Sequence, residues 1–290
     1  EDRHVMIASW RPLGSNGRPL PDDGVERSYS AVFDGHNGSR AAEEAAGRLH
    51  TLIAAEPALR TATGCKGPSS MMAAEEEAMR IALVKSFRCL DDSLITQARQ
   101  DGGRDGSTAL VTVRLGDSIY TAHAGDSRAV LCRAGGVAHR LTEDHKPNLP
   151  AERSRIESVG GRVEWQRCWR VVVEPGDGRP GSGLAVSRSL GDYDFKEPRK
   201  LVDATPEVVR TRLMPGDAFV VLASDGLWDV MTDQDAVDAV RSALQACEGA
   251  KAGKPTSADA TLAAEAALAL AVRRGTVDNV TVLVMALTWS

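Results

Sequence analysis

Apolar residues follow two rhythms along this chain. In HVMIASW (residues 4–10) and SYSAVFD (28–34) they come in short alternating or continuous runs, the period of a β-strand. A loop rich in Gly, Pro and Asp, Arg11 to Gly24, joins the two. Behind Ser39, a natural N-cap, RAAEEAAGRLHTLIAAE has the composition of a helix, with Glu43 and Glu44 near its positive end. TGCKGPSS (Thr63–Ser70) interrupts the helical pattern. A longer helix is predicted from about Met72 to Arg99, with Met79, Leu83, Phe87, Leu90 and Leu94 as its core stripe.

From Ser107 the period shortens again. STALVTVRL, SIYTAHA, SRAVLCRA and VAHRLT are four strands separated by Gly-Asp, Gly-Asp and Gly-Gly. Connections this tight suit antiparallel neighbours and predict a meander of hairpins. NLPAERSRIESVGG reads as a helix closed by Gly160. Strands follow near Val171 and Val208, and DAFVVLASDG is another, ending on Asp-Gly. TDQDAVDAVRSAL and ADATLAAEAALALAVRRG are helices on either side of a flexible loop, Lys251 to Ser257, and DNVTVLVMALT is a closing buried strand. Hairpins exclude an all-parallel doubly wound sheet. The expected class is α+β, with helices covering antiparallel sheets in one domain spanning 1–290, trimmed at its N-terminus.

Composition narrows the function. Hydrophobic residues make up 42% and charged residues 26%, enough for a sizeable core. A net charge of -5 and a pI near 5.8 argue against a nucleic-acid or anionic-membrane surface. No apolar run approaches the roughly 20 residues that cross a bilayer. Five cysteines (Cys65, Cys89, Cys132, Cys168, Cys247) with no paired spacing suit a reducing, intracellular compartment, cytoplasm or nucleus.

The chemistry lies where strands end. Asp34 follows AVF, Asp225 follows VVLAS, Asp278 precedes Asn279 and VTVLVM, Asp126 sits between two apolar strands, and Glu1 and Asp2 precede HVMIASW. Any one of these alone is most simply a solvated turn. Acids placed repeatedly where buried strands emerge repel one another unless a cation lies among them. Oxygen ligands suit Mg²⁺ or Mn²⁺ rather than zinc. Two such ions roughly 4 Å apart can activate a water for attack on phosphorus. Gly35 would let its carbonyl approach an ion, and His36 stands beside it as a candidate proton donor.

EDR, VFDGHNGS, DGSTALVTV, AHAGDSRAVL, LTEDHKP, the spaced E, RI and GG of 152–161, LAVSRSLGD, TPEVV, VVLASDGLWDVM and GTVDNVTVLV occur in the order expected of the PPM-type (PP2C) metal-dependent serine/threonine protein phosphatases. The chain resembles that family from end to end, and SDGLWDVM is similar to its plant branch. The resemblance implies an αββα sandwich with a dinuclear Mg²⁺ or Mn²⁺ centre at one edge. Asp34 would bridge the ions, the Gly35 carbonyl would bind one, and Asp225 and Asp278 the other. Glu1 and Asp2 would act directly or through waters, Asp126 and Asp229 would form a weaker third site, and His36 would be the general acid. Thr108 matches a small polar residue near the site, with no catalytic role assigned. The implied activity is hydrolysis of phosphoserine and phosphothreonine in proteins by a metal-bridged water.

Three features depart from the family pattern or leave a choice. The arginine that normally precedes ED and grips phosphate would lie upstream of Glu1, where this trimmed sequence begins, and Arg3 lies on the wrong side of the motif. Asn37 replaces a glycine, and Asn tolerates a positive φ. The flap, Gly161 to Gly183, is long and carries Trp165 and Trp169, which either pack it onto the body or meet a regulatory protein. His145 is expected to be structural, His4, His50, His123 and His139 packing or surface residues, and Trp228 a core residue beneath the metal site. A binding module that has lost catalysis is the competing reading; intact Asp34, Asp225 and Asp278 weigh against it. The acidic charge disfavours a nuclease, and no Cys-x5-Arg loop suggests a cysteine-dependent phosphatase.

Overall fold

The computed structural model describes residues 1–62, 64, 69–174, 181–247, 249 and 255–288. Most of the predicted interruption at 63–70, part of the flap (175–180) and most of the loop at 251–257 lie outside them.

Strand alternation builds two sheets and decides what each face covers. One sheet has the order β1 (Arg3–Ile7), β2 (Arg27–Phe33), β5 (Ala109–Leu115), β6 (Ser118–Ala124), β13 (Glu207–Arg212). The other runs β15 (Val282–Ala286), β14 (Phe219–Ala223), β7 (Arg128–Arg133), β8 (Val137–Arg140). All neighbours in both sheets are antiparallel. In β14, Val220 and Leu222 turn inward against Val32, Leu110 and Leu131, while Phe219, Val221 and Ala223 face helices. In β2, Val32 enters the space between the sheets, and Tyr29, Ala31 and Phe33 face the helical layer on the other side. A period of two thus supplies both an inter-sheet core and an outer one from the same strand.

Helices close both outer faces, giving the αββα sandwich. Leu49 and Ile53 of α1 (Arg40–Ala55), Leu59 of α2 (Pro57–Thr61) and the predicted stripe of α3 (Ser69–Asp101) are buried on the first sheet. The predicted first helix ends at Ala55, because Glu56 is extended and Pro57 starts α2. After α4 (Pro150–Ser158) and α5 (Asp225–Trp228), the helices α6 (Asp233–Ala246) and α7 (Ser257–Arg273) cover the second sheet. Each of these two starts with a capping box, Thr232 with Asp235 and Thr256 with Asp259.

Two small sheets lie off the sandwich. One is the flap, β11 (Ser182–Leu184), β10 (Trp169–Val173), β9 (Arg162–Trp165). The other, β12 (Leu190–Gly191), β4 (Gly106–Ser107), β3 (Gly35–His36), is too short to show in any hydrophobic pattern.

One sequence expectation is corrected. The segment from Ser107 is not a continuous meander. Gly116-Asp117 turns a true hairpin between β5 and β6, but at Gly125-Asp126 the chain leaves the first sheet and enters the second. Gly125 has φ +116, and a Cβ there would lie 2.7 Å from the Thr108 side chain. The crossover passes too close to β5 for any other residue, and it sets Asp126 at the sandwich edge instead of on a hairpin tip.

Candidate active site

The strand ends predicted to carry acids meet at one edge of the sandwich. Asp34 leaves β2 with its amide N–H donating to Thr108 Oγ1 (3.1 Å), and the Thr108 hydroxyl is shared with Ser127 Oγ at 2.7 Å. Thr108 therefore fixes the backbone that presents Asp34. Asp225 opens the short turn α5 behind β14, and its carboxyl lies near enough to that of Asp34 for its charge to act on it. Asp2 comes from the start of β1, and its Oδ2 accepts from Ser224 Oγ (2.9 Å) and Thr281 Oγ1 (2.8 Å). Its other oxygen, Oδ1, is buried and has no hydrogen-bond partner among the described residues.

Electrostatics records the crowding. Burial raises the Asp34 carboxyl to about 9, with the neighbouring charges of Asp225, Asp2 and Asp126 adding to it. Burial and Asp126 raise Asp225 to about 7, against the pull of Lys146. Asp229 is raised by burial and by Asp126 and Asp278. Lys146 acts as a cation within this group; its Nζ holds Asp126 Oδ2, and burial is outweighed by these acids so that its charge is retained.

The remaining predicted residues lie around this pair. Gly35 is buried, and a Cβ on it would lie 2.8 Å from the Glu1 carbonyl oxygen, so only glycine allows that approach. Glu1 Oε1 accepts the Gly38 N–H at 3.0 Å. Asp278 is exposed at the rim beside Asp229, its Oδ1 accepting the Asn279 N–H. Asn37 takes φ +57, as its residue type permits. Arg3 pairs with Glu43 at 2.5 Å and so is already engaged. Trp228 is buried beneath Asp225; its Nε1 donates to the Ala223 carbonyl at 2.9 Å, and Arg128 lies 5.0 Å over its ring. In the flap, Trp169 packs against its small core, while Trp165 stands 63% exposed with its ring edge-on to Trp169 at 5.6 Å.

The residues fit divalent cations. An orphaned buried carboxylate oxygen, two acids raised well above the ordinary carboxylate range, and a glycine cradle beside a carbonyl form an all-oxygen donor set suited to Mg²⁺ or Mn²⁺.

Two features were not read from the sequence. His36 Nε2 rests on the buried carboxylate of Asp192, 2.9 Å from both oxygens. Burial opposes a charge on His36, yet Asp192, with Asp126 and Glu1, raises its pKa overall. A second group, His123, His145 and Glu207, places one ligand atom each within 4.8 Å of one another, close enough for a single ion. The two rings stack at 4.5 Å. The Gly125 N–H, however, donates to His145 Nδ1 (3.2 Å), which puts the proton of the neutral ring on Nε2, facing Glu207 Oε2 at 3.6 Å. His145 also donates its own N–H to the Gly125 carbonyl at 2.9 Å. This ring braces the Gly125-Asp126 crossover, in keeping with a structural role.

Comparison with known proteins agrees with this geometry. The family model for protein phosphatase 2C matches residues 6–280. A probable protein phosphatase 2C of Oryza sativa subsp. japonica is 38% identical over 269 residues, 90% of this chain and 63% of that protein. The integrin-linked kinase-associated serine/threonine phosphatase 2C of Bos taurus is 36% identical over 295 residues, 98% of this chain and 72% of that protein. The fold overlays the crystal structure of a serine-threonine phosphatase 2C from Toxoplasma gondii with a TM-score of 0.75, at 24% identity, covering 98% of this chain and 94% of the other. With the sandwich, the acidic edge and a match over nearly its whole length, this chain belongs to the protein phosphatase 2C family. It spans about two thirds of the length of these curated relatives. No helix among the described residues is long and apolar enough to cross a membrane.

Proposed function

We propose that this chain hydrolyses phosphoserine and phosphothreonine in proteins at a dinuclear Mg²⁺ or Mn²⁺ centre on the acidic edge. The observation that carries this is the Asp34–Asp225 pair: two half-buried carboxyls that act on each other and are raised to about 9 and about 7, with Asp2 and Asp126 beside them. Such an arrangement is destabilising by itself and becomes favourable when cations replace the protons.

Asp34, the Gly35 carbonyl, Asp225 and Asp278 would hold the two ions, Glu1 and Asp2 would act directly or through waters, and Asp126 with Asp229 would hold a weaker third. The ions, when bound, supply positive charge that activates water and offsets the charge of the phosphoryl group. The protein's own groups do the rest. Thr108 holds Asp34 in register, Ser224 and Thr281 aim the free oxygen of Asp2, and Lys146 restrains Asp126. His36, held at the edge, donates a proton to the departing serine or threonine oxygen. The flap, with exposed Trp165, is the surface for the phosphoprotein substrate or a regulatory protein.

The test is hydrolysis of a phosphothreonine peptide with Mn²⁺ or Mg²⁺, with EDTA, and with Asp225→Ala. Turnover that needs both the ion and Asp225 supports the reading. Ion binding without turnover favours the non-catalytic binding module, and turnover in EDTA would remove the metal from the mechanism.

A further inference from the structure

The least explained acid in the chain is Asp192. It is 1% exposed, yet it takes a left-handed backbone (φ +59, ψ +54), unusual for a residue other than glycine. Its carboxylate reaches across a neighbouring strand. In the small sheet, β12 pairs Gly191 with Gly106 of β4, and Gly106 in turn pairs with His36 of β3. A Cβ on Gly106 would sit 2.2 Å from Asp192 Oδ2. The missing side chain of Gly106 is the opening through which Asp192 meets His36.

The turn that carries Asp192 is fixed on every side. Ser189 Oγ donates to Asp192 Oδ2 at 2.5 Å. The Asp192 N–H donates to the Asp105 carbonyl at 3.0 Å. Asp91 of α3 accepts the Gly191 N–H (2.8 Å) and pairs with buried Lys196 at 2.5 Å, and Lys196 also donates to the Ser189 carbonyl at 2.8 Å. A strained backbone held by this many contacts keeps one carboxylate in one place.

We infer that Asp192 is the positioning residue for His36: it holds the ring by Nε2–H, so that Nδ1 is the nitrogen presented to the substrate. The carboxylate only accepts, so the proton of the shared bond belongs to Nε2. Nδ1 has no hydrogen-bond partner among the described residues and is not among the buried unpaired atoms, so it opens to solvent at the site edge. This inference rests on the reading of His36 as proton donor. In the step, the ester P–O bond breaks with its electron pair passing to the serine or threonine oxygen, which takes the proton from His36 Nδ1. The oxygen of a water forms the new P–O bond. One water proton stays on the phosphate and the other recharges the imidazole, while Nε2–H stays on Asp192 throughout.

Leaving-group dependence tests this. A phosphothreonine peptide needs its leaving oxygen protonated; p-nitrophenyl phosphate, with a far better leaving group, does not. His36→Gln should slow the peptide much more than the nitrophenyl ester. If it slows both equally, the proton-donor reading fails and Asp192 loses its proposed role with it. If His36→Gln behaves as expected, Asp192→Asn should lower kcat on the peptide by about 10- to 100-fold, with KM within about twofold and the nitrophenyl ester within about threefold, because an amide no longer selects the ring tautomer. Unchanged peptide turnover, or equal loss on both substrates by a folded variant, overturns the inference. A readout independent of turnover and of the variant's folding is the ¹H–¹⁵N spectrum of the His36 ring in unaltered protein with Mg²⁺. Nε2–H, with Nδ1 exchanging with solvent, is expected; a ring protonated on Nδ1 alone overturns the assignment.

Discussion

Two acidic sites in this molecule have opposite characters. Glu152, in α4 beneath the flap, is gripped by Arg188 at 2.6 Å and Arg155 at 2.9 Å, and these guanidinium groups overcome burial to hold its carboxyl down at about 2. Asp34, at the sandwich edge, has acids for neighbours instead, and its carboxyl is pushed up to about 9. Burial raises both carboxyls, so burial alone does not separate them; the sign of the neighbouring charge does. The first site is complete as folded. The second gathers like charges whose repulsion works against the fold.

The largest break in the comparison comes from the acidic edge. Asp34→Asn removes one charge from a set meant to act together, and peptide hydrolysis should fall by at least about 10²-fold, as when a preorganised charge is lost from an active site. The same change should leave the cation-free protein as stable as before or more so. Steady-state kinetics and a thermal melt in EDTA check both halves.

Glu152→Gln should do the reverse. Removing the charge leaves two arginines short of a partner, at a cost of about 3 kcal/mol, read as a lowered urea midpoint. At a temperature where the variant is folded, its turnover should stay within about twofold.

The two sites should also respond oppositely to pH. A carboxyl raised in the folded state binds its proton more tightly there than when unfolded, so its contribution to stability is full below the ordinary carboxylate pKa near 4 and is lost as pH rises toward the folded values of about 7 for Asp225 and about 9 for Asp34. Cation-free protein should therefore lose this contribution between roughly pH 4 and 9. Glu152, held at about 2, contributes fully above its ordinary pKa and loses that as pH falls toward 2. Melts of the cation-free protein, with Asp34→Asn and Glu152→Gln as references, separate the two slopes. The smallest effect belongs to the flap: Trp165→Ala should change stability by less than about 0.5 kcal/mol while raising KM for a phosphoprotein more than for p-nitrophenyl phosphate.

Which parts were legible in advance follows from how local each signal is. The acids at strand ends could be read because an apolar run stopping on Asp-Gly is a pattern within a few residues, as at Asp34 and Asp225. The two layers of helix were legible through the stripe of α3 and the helical runs that became α6 and α7; the cap at Thr256 was read as loop. Gly116-Asp117 and Gly125-Asp126 look the same in sequence, yet one closes a hairpin and the other changes sheet. What differs is which distant strand receives the chain, with Thr108 packed under Gly125. Asp192 was hidden for the same reason. Its partner lies 156 residues away and is reached only through the gap at Gly106. The SLGD motif was visible; the direction in which its aspartate points was not.

The central claim is that the Asp34–Asp225 edge is a repulsive site completed by divalent cations. The most direct test is the shift in melting temperature on adding Mg²⁺, measured at pH 6 and pH 8 for the unaltered chain and for Asp34→Asn. The account predicts a rise for the unaltered chain that is larger at pH 8, where fewer protons compete, and little or none for the variant. An equal rise in both proteins, or none in either, would contradict it.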